Sequence, residues 1–244
     1  MNATSPLASF DSLADRPSLP PTLRSPGRFD MYGPIHKGLR HAHCRVLVEL
    51  GRTTFSDDEA CERALAALEE VLDLGDRHVV HEETHVHPVL AQRAPTSVAE
   101  LAAGHVERRE IVAELRALAG ATRAARPSAR ALAGKTLYLH FAAFFARELD
   151  HMNLEERVVQ PLLERHFDDE ELGRIHERLV AALEPAELMA SARAMVPAMS
   201  RAERAALVAG AKANAHPAVF GLILSELRPT LSEADFADLL ADLG

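Results

Sequence analysis

The sequence predicts an all-α protein: an up-down-up-down four-helix bundle with additional short C-terminal helices. Three observations carry this. Ala and Leu dominate a chain of 244 residues in which aromatics make up 5% and Trp is absent, a composition rich in strong helix formers. Apolar residues recur at helical spacing through four long stretches, with cap residues, Pro or Gly at the ends. Finally, His78-x-x-x-Glu82-Glu83, followed by Pro88, returns as His151-x-x-x-Glu155-Glu156, followed by Pro161. Residues four apart stand about one turn apart on one helix face. The repeat therefore suggests two inward-facing helices feeding one site.

Residues 1–28 are rich in Pro and Ser and lack helical periodicity. They read as a loosely held arm, or as one that wraps the domain through Leu7, Phe10 and Leu13. Pro34 suits a first helical turn and opens a helix that ends near Gly51, with Ile35, Leu39, Val46 and Leu50 at core spacing. That helix presents His36 in its first turn, with His43 on roughly the same face about 10 Å further along. Ser56 or Asp57 caps a second helix that reaches Leu90, its acidic first turn matching the dipole. Gly75 is a candidate bend in it. At about 100° per residue, His78, His81, Glu82 and His85 share one face and His87 points outward.

Thr96 or Ser97 caps a third helix, with Glu100 completing a capping box on Ser97. His105 is its one histidine. A basic connection, ATRAARPSARALAG, read either as a link or as partly continuing the third helix, leads to the fourth helix, which starts at Lys135 and carries His151 and Glu155. Tyr138, Phe141, Phe144 and Phe145 read as its core. His140 lies on the face of His151 but about 16 Å away, and reads as a core or channel residue. From Asp168 onward short amphipathic helices open at Asp168, Pro185, Ser200, Pro217 and Ser232. The expected organisation is an arm (1–28), a bundle with the site (29–167) and a helical appendage (168–244) packed on the bundle or on a partner.

A net charge of −9 leaves no basic footprint for nucleic acid or an anionic membrane. No stretch approaches the ~18 consecutive apolar residues of a membrane span, and the N-terminus has neither the basic start nor the apolar run of a secretory signal. Cys44 and Cys61 fall inside predicted helices without CxxC spacing, which argues against a disulfide framework and for a reducing, cytoplasmic compartment.

Imidazole with carboxylate, and almost no cysteine, suits iron, manganese or zinc rather than an iron–sulfur cluster. A carboxylate one turn from a His can bridge two ions, and bundle interiors hold such sites. Through His36, His78-x-x-x-Glu82, His105 and His151-x-x-x-Glu155, the chain resembles the hemerythrin-like family, in its HHE cation-binding branch, over about residues 30–167. The resemblance implies a non-haem di-iron site of two oxo- or hydroxo-bridged iron ions. His36, His78, His105 and His151 would be terminal ligands, and Glu82 and Glu155 would bridge. Zinc and manganese accept the same donors.

The chain departs from oxygen-carrying hemerythrins in two places. Arg109 stands where those have a second third-helix His. The fourth-helix carboxylate is a Glu at i+4, where carriers have an Asp at i+5, the position of Glu156. One ligand is then missing, or is supplied by His81 or His85. Glu83 and Glu156 are expected to orient ligands or to face solvent, and Arg40 to pair with a carboxylate or face solvent. An open coordination position favours reaction with dioxygen, peroxide or nitric oxide over reversible carriage. Three functions follow as expectations. The first is a di-iron protein that binds, senses or detoxifies such a small ligand. The second is a di-iron oxidase, peroxidase or oxygenase, acting in the oxygenase case on a small organic substrate. The third is a metal-stabilised regulatory or iron-sensing module that meets a partner or a second copy of itself through the C-terminal helices.

Overall fold

The computed structural model describes residues 27–95 and 98–244. Among these residues the structure is all helical, with no strand. Helix α1 (Gly33–Arg52) opens with Pro34 in its first turn, where no backbone hydrogen bond is lost. Helix α2 (Asp58–His81) is capped by Asp57, whose carboxylate accepts from the Ala60 N–H. It runs into a π-helical segment, Glu82–Val86, and on into α3 (His87–Arg93). Helix α4 spans Val98–Ala124. Helix α5 (Pro127–Leu154) passes through a second π-helical segment, Glu155–Val159, into α6 (Gln160–His166). The cap expected from Thr96, Ser97 and Glu100 lies outside the described residues, as do Leu7, Phe10 and Leu13.

The fourth long helix begins at Pro127, not at Lys135. Arg126 is extended, with φ −62° and ψ 148°, because a residue before proline avoids the α region. Proline then serves as the first helical residue, so 127–134 is helix rather than connection.

Each π segment widens the helix by one residue. The His87 N–H bonds to the Glu82 carbonyl, and the Gln160 N–H to the Glu155 carbonyl, both five residues back. Proline accounts for the location. An unbroken α-helix would require an N–H from Pro88 for Thr84 and from Pro161 for Arg157. Proline has none, and its ring crowds the carbonyl four residues earlier. A widened turn relieves that crowding. The interruption of the second helix thus falls at Glu82 and not at Gly75. Gly75 instead leaves room for an arginine: a Cβ there would stand 2.3 Å from Arg108 Nη2.

Helix α1 packs on α2 and α5, and α4 packs on α2 and α5, so the four long helices close a ring. Two apolar clusters fill it. One contains Val46, Leu65, Leu72, Val112, Phe141 and Phe144. The other contains Met31, Tyr32, Val86, Leu101, Val159 and Leu163. On every long helix the His and Glu positions fall between a member of one cluster and a member of the other. The polar layer is therefore sealed by apolar side chains above and below.

The remaining chain forms α7 (Asp169–Ala181), α8 (Pro185–Met195), α9 (Arg201–Asn214), α10 (Pro217–Leu227) and α11 (Glu233–Leu243). The expected capping box of Ser200 with Glu203 is present. Helices α9, α10 and α11, with Val196 just after α8, share a small cluster of Val196, Val208, Leu227 and Leu239, whereas Leu172 and Ile175 of α7 join the cluster of Met31 and Tyr32. Helix α8 lies on α1, with its backbone so close at Gly38 that a Cβ there would be 3.0 Å from Ala194 C. Helix α7 packs on the first π segment. His140 is exposed, its Nδ1 bonded to the Thr136 carbonyl. It is therefore not a core residue, because its angle falls at the margin of the buried stripe of α5. No helix of the described residues is long and apolar enough to cross a membrane.

Two glycines test this packing in opposite directions. Gly120, in α4, has nothing within 4 Å of an added Cβ, so Gly120→Ala should stabilise by about 0.5–1 kcal/mol through helix propensity alone. At Gly134 in α5 a Cβ would stand 2.2 Å from Phe55 Cδ2. There overpacking outweighs propensity, and Gly134→Ala should cost about 1–3 kcal/mol. Denaturant unfolding followed by helical circular dichroism reads both.

Candidate metal centre

The six residues that the repeat and the resemblance single out converge. His36, His78, Glu82 and Glu155 form one group able to hold a metal ion, and Glu82, His105, His151 and Glu155 form a second. Within each group the ligand atoms all lie within 4.8 Å of one another. His36 Nε2 is 3.2 Å from His78 Nε2, and His105 Nε2 is 3.0 Å from His151 Nε2. Both carboxylates are shared. Glu82 places Oε1 3.0 Å from His78 Nε2 and Oε2 3.6 Å from His105 Nε2. Glu155 places Oε2 3.3 Å from His36 Nε2 and Oε1 3.2 Å from His151 Nε2. Each carboxylate therefore directs one oxygen to each group, as a bridge between two cations requires.

These four oxygens are buried, and among the described residues no donor is directed at any of them in a hydrogen bond. Buried polar atoms are ordinarily paired, and anionic oxygens left so are matched by bound cations. His36, His105 and Glu155 are fully buried, whereas the side chains of His78 and His151 are 12% and 18% exposed. Access to the centre thus lies at the edges carried by those two histidines.

The outer nitrogens of the buried histidines are held by the second glutamate of each motif, across the centre. His36 Nδ1 is 2.9 Å from Glu156 Oε1, and His105 Nδ1 is 3.1 Å from Glu83 Oε1. A proton on Nδ1 donated to the carboxylate leaves the Nε2 lone pair facing inward. Each glutamate is clamped in turn by an arginine one turn after the histidine it holds. Arg40 donates to Glu156 at 2.6 Å and Arg109 donates to Glu83 at 3.0 Å. Arg109, where a ligand stands in oxygen carriers, is thus a clamp. His36-x-x-x-Arg40 and His105-x-x-x-Arg109 form a second repeat that matches the first.

Charge is distributed accordingly. Burial opposes ionisation of Glu155, but His151 and His36 hold it well below the ordinary carboxylate range. Burial alone would lower His36, yet Glu155 and Glu156 push it up to about 9. His151 is raised against burial by Glu155. For His105 burial prevails, so its pKa is lowered. Burial notwithstanding, Glu83 and Glu156 are lowered by their arginine and histidine partners.

Beyond Glu82 the angular expectation fails. His87 is not outward: it is 4% exposed and its ring stacks on His105 at 5.3 Å. The π segment withholds about one residue's worth of rotation, which turns His87 toward the centre and His85 away from it. His81 and His85 stack on each other at 6.3 Å and belong to neither group. His43 is buried against Phe141 and Phe145, its Nδ1 bonded to the Leu39 carbonyl at 2.7 Å. Tyr32 was not apparent as a site residue. It precedes α1 with its ring 5.3 Å from that of His36. Its signal, a tyrosine four residues before the histidine, is visible only if the helical register is extended backwards.

No protein-family model matches the chain, and no curated protein is similar to it.

Two predictions follow from the geometry. His36 rises from an ordinary 6.5 to about 9. Its pairing therefore stabilises the metal-free fold fully below pH ~6.5 and loses that contribution as pH climbs through about 9. Metal must displace the proton, so uptake should release protons and tighten between neutrality and about pH 9. Calorimetric titration in buffers of different ionisation enthalpy measures the release. Glu83→Gln and Glu156→Gln should each weaken metal binding about 10–100-fold in competition with a chelator, while leaving helical content unchanged.

Proposed function

We propose that Glu82 and Glu155 bridge two iron ions, one held by His36 and His78, the other by His105 and His151. In this reading residues 29–167 form an up-down-up-down hemerythrin-like bundle, and 168–244 are helices appended to it. The observation that carries the proposal is the sharing of both buried carboxylates between two groups, each with its own pair of imidazoles. Each ion is offered two nitrogens and two oxygens. That leaves positions open on a metal preferring six ligands and none on tetrahedral zinc. Two irons so held supply redox chemistry toward a small ligand that enters an open position.

The chain's own part is to hold and to exclude. Glu83 and Glu156 fix the His105 and His36 rings, and the two apolar clusters keep bulk water from the layer. The burial of His36, His105 and Glu155 favours a ligand of a few atoms: dioxygen, peroxide or nitric oxide. A groove of about 800 Å³ between α1, α2 and α8 is lined by Arg45, Leu74, Arg77 and Arg193 among others, but by none of the six residues. An organic substrate held in that groove would not touch the centre. The free thiols of Cys44 and Cys61 suit a reducing, cytoplasmic setting.

Metal analysis and the ultraviolet–visible spectrum before and after hydrogen peroxide test the proposal. About two irons per chain, with a spectrum that responds to peroxide, are expected. A single zinc with a silent spectrum would refute it. Glu82→Ala and Glu155→Ala should each lose at least one ion, and normal metal content in both would overturn the ligand assignment.

A further inference from the structure

The residues of the centre pair off by type: His36 with His105, Arg40 with Arg109, His78 with His151, Glu82 with Glu155, Glu83 with Glu156. The pairing breaks four residues before the first two histidines, where Tyr32 on one side corresponds to Leu101 on the other. Both belong to the same buried cluster, but only Tyr32 carries a polar atom. Tyr32 is 1% exposed, and its hydroxyl has no hydrogen-bond partner among the described residues. Burial first, and then the negative charges of Glu82 and Glu155, hold the hydroxyl well above its ordinary range, so it keeps its proton. The oxygens of those two carboxylates likewise have no directed donor. A buried donor whose ring stands 5.3 Å from that of His36 and the buried acceptors of the same centre thus lie close without meeting.

The placement of Tyr32 is built. Gln160, at the end of the second π segment, accepts from the Met31 N–H at 3.1 Å and donates to the Phe29 carbonyl at 2.7 Å. It pins the backbone just ahead of Tyr32. Its counterpart His87 stacks on His105 instead. The two sides are therefore alike in metal donors and different in what surrounds them.

We propose that the Tyr32 hydroxyl donates a hydrogen bond to a small anionic ligand, of the peroxide or azide kind, taken up on the side of His36 and His78. The inference rests on the two-ion reading and narrows it: an anionic acceptor gains more from such a donor than neutral nitric oxide does.

The test is azide titration of the iron-loaded full chain. Tyr32→Phe should retain its iron but bind azide about tenfold more weakly. In the unmodified chain azide should shift the tyrosine ultraviolet band, which no Trp obscures and which only two tyrosines contribute to. Tyr138→Phe should keep both the affinity and the shift. Unchanged azide affinity in iron-loaded Tyr32→Phe would overturn the inference alone. So would loss of iron from that variant, which would make Tyr32 a metal holder, and so would weakened azide binding in His87→Gln but not in Tyr32→Phe. If Tyr32→Phe does not fold, a tyrosine band in the unmodified protein that ignores saturating azide overturns it. A chain that takes up no iron overturns the two-ion reading as well.

Discussion

Two carboxylates, Glu82 and Glu155, face each other inside an apolar interior, and the rest of the molecule answers to that charge. An ion taken from water into such a place costs several kcal/mol unless it is matched. The chain surrounds the pair with four imidazoles, two of them raised in pKa by the carboxylates they face. Around the imidazoles stand two glutamates, and around those two arginines. On the side of His36, charge alternates outward from carboxylate to imidazolium to carboxylate to guanidinium. The apolar clusters on either side confine this alternation to one layer of the helix ring.

The backbone takes part as well. The π segments begin at Glu82 and Glu155, so the shared glutamate is the last residue in α register on each helix. Four residues before it, His78 and His151 obey the α period. After it, the rotation lags, and Glu83 and Glu156 can reach across to histidines on other helices. A proline six residues after each of these glutamates gives the wide turn a cause in the sequence.

That division explains what could be read from sequence. The all-α class, the long helices and the matching of His78 and Glu82 with His151 and Glu155 rest on α periodicity and on a repeated phrase, both local, whereas His36 and His105 enter through the family resemblance. Domain boundaries and the use of the C-terminal helices rest on tertiary contacts that no local signal carries. His85 and His87 were misdirected because the 100° rule was carried across a turn where it does not hold. The clamps were half visible: Arg40 stood out one turn from His36, but Arg109 registered only as a missing ligand, and the likeness between them appeared once both were seen on glutamates. Tyr32 lies ahead of its helix, where periodicity has nothing to say, and its position depends on Gln160, distant in sequence at the start of α6. Pro127 was passed over because arginines around it resembled a connection.

The cross-bracing has a consequence for how the centre fills. The motif that places His78 in one group gives Glu83 to a histidine of the other, and the motif that places His151 in the second gives Glu156 to a histidine of the first. Neither half is complete without both motifs, and both bridges belong to both halves. On the two-ion proposal, the first ion to arrive would order nearly everything the second needs, so the ordering cost would fall on the first. Loading is then cooperative: at limiting metal, chains should divide into filled and empty, with singly occupied chains the scarce species.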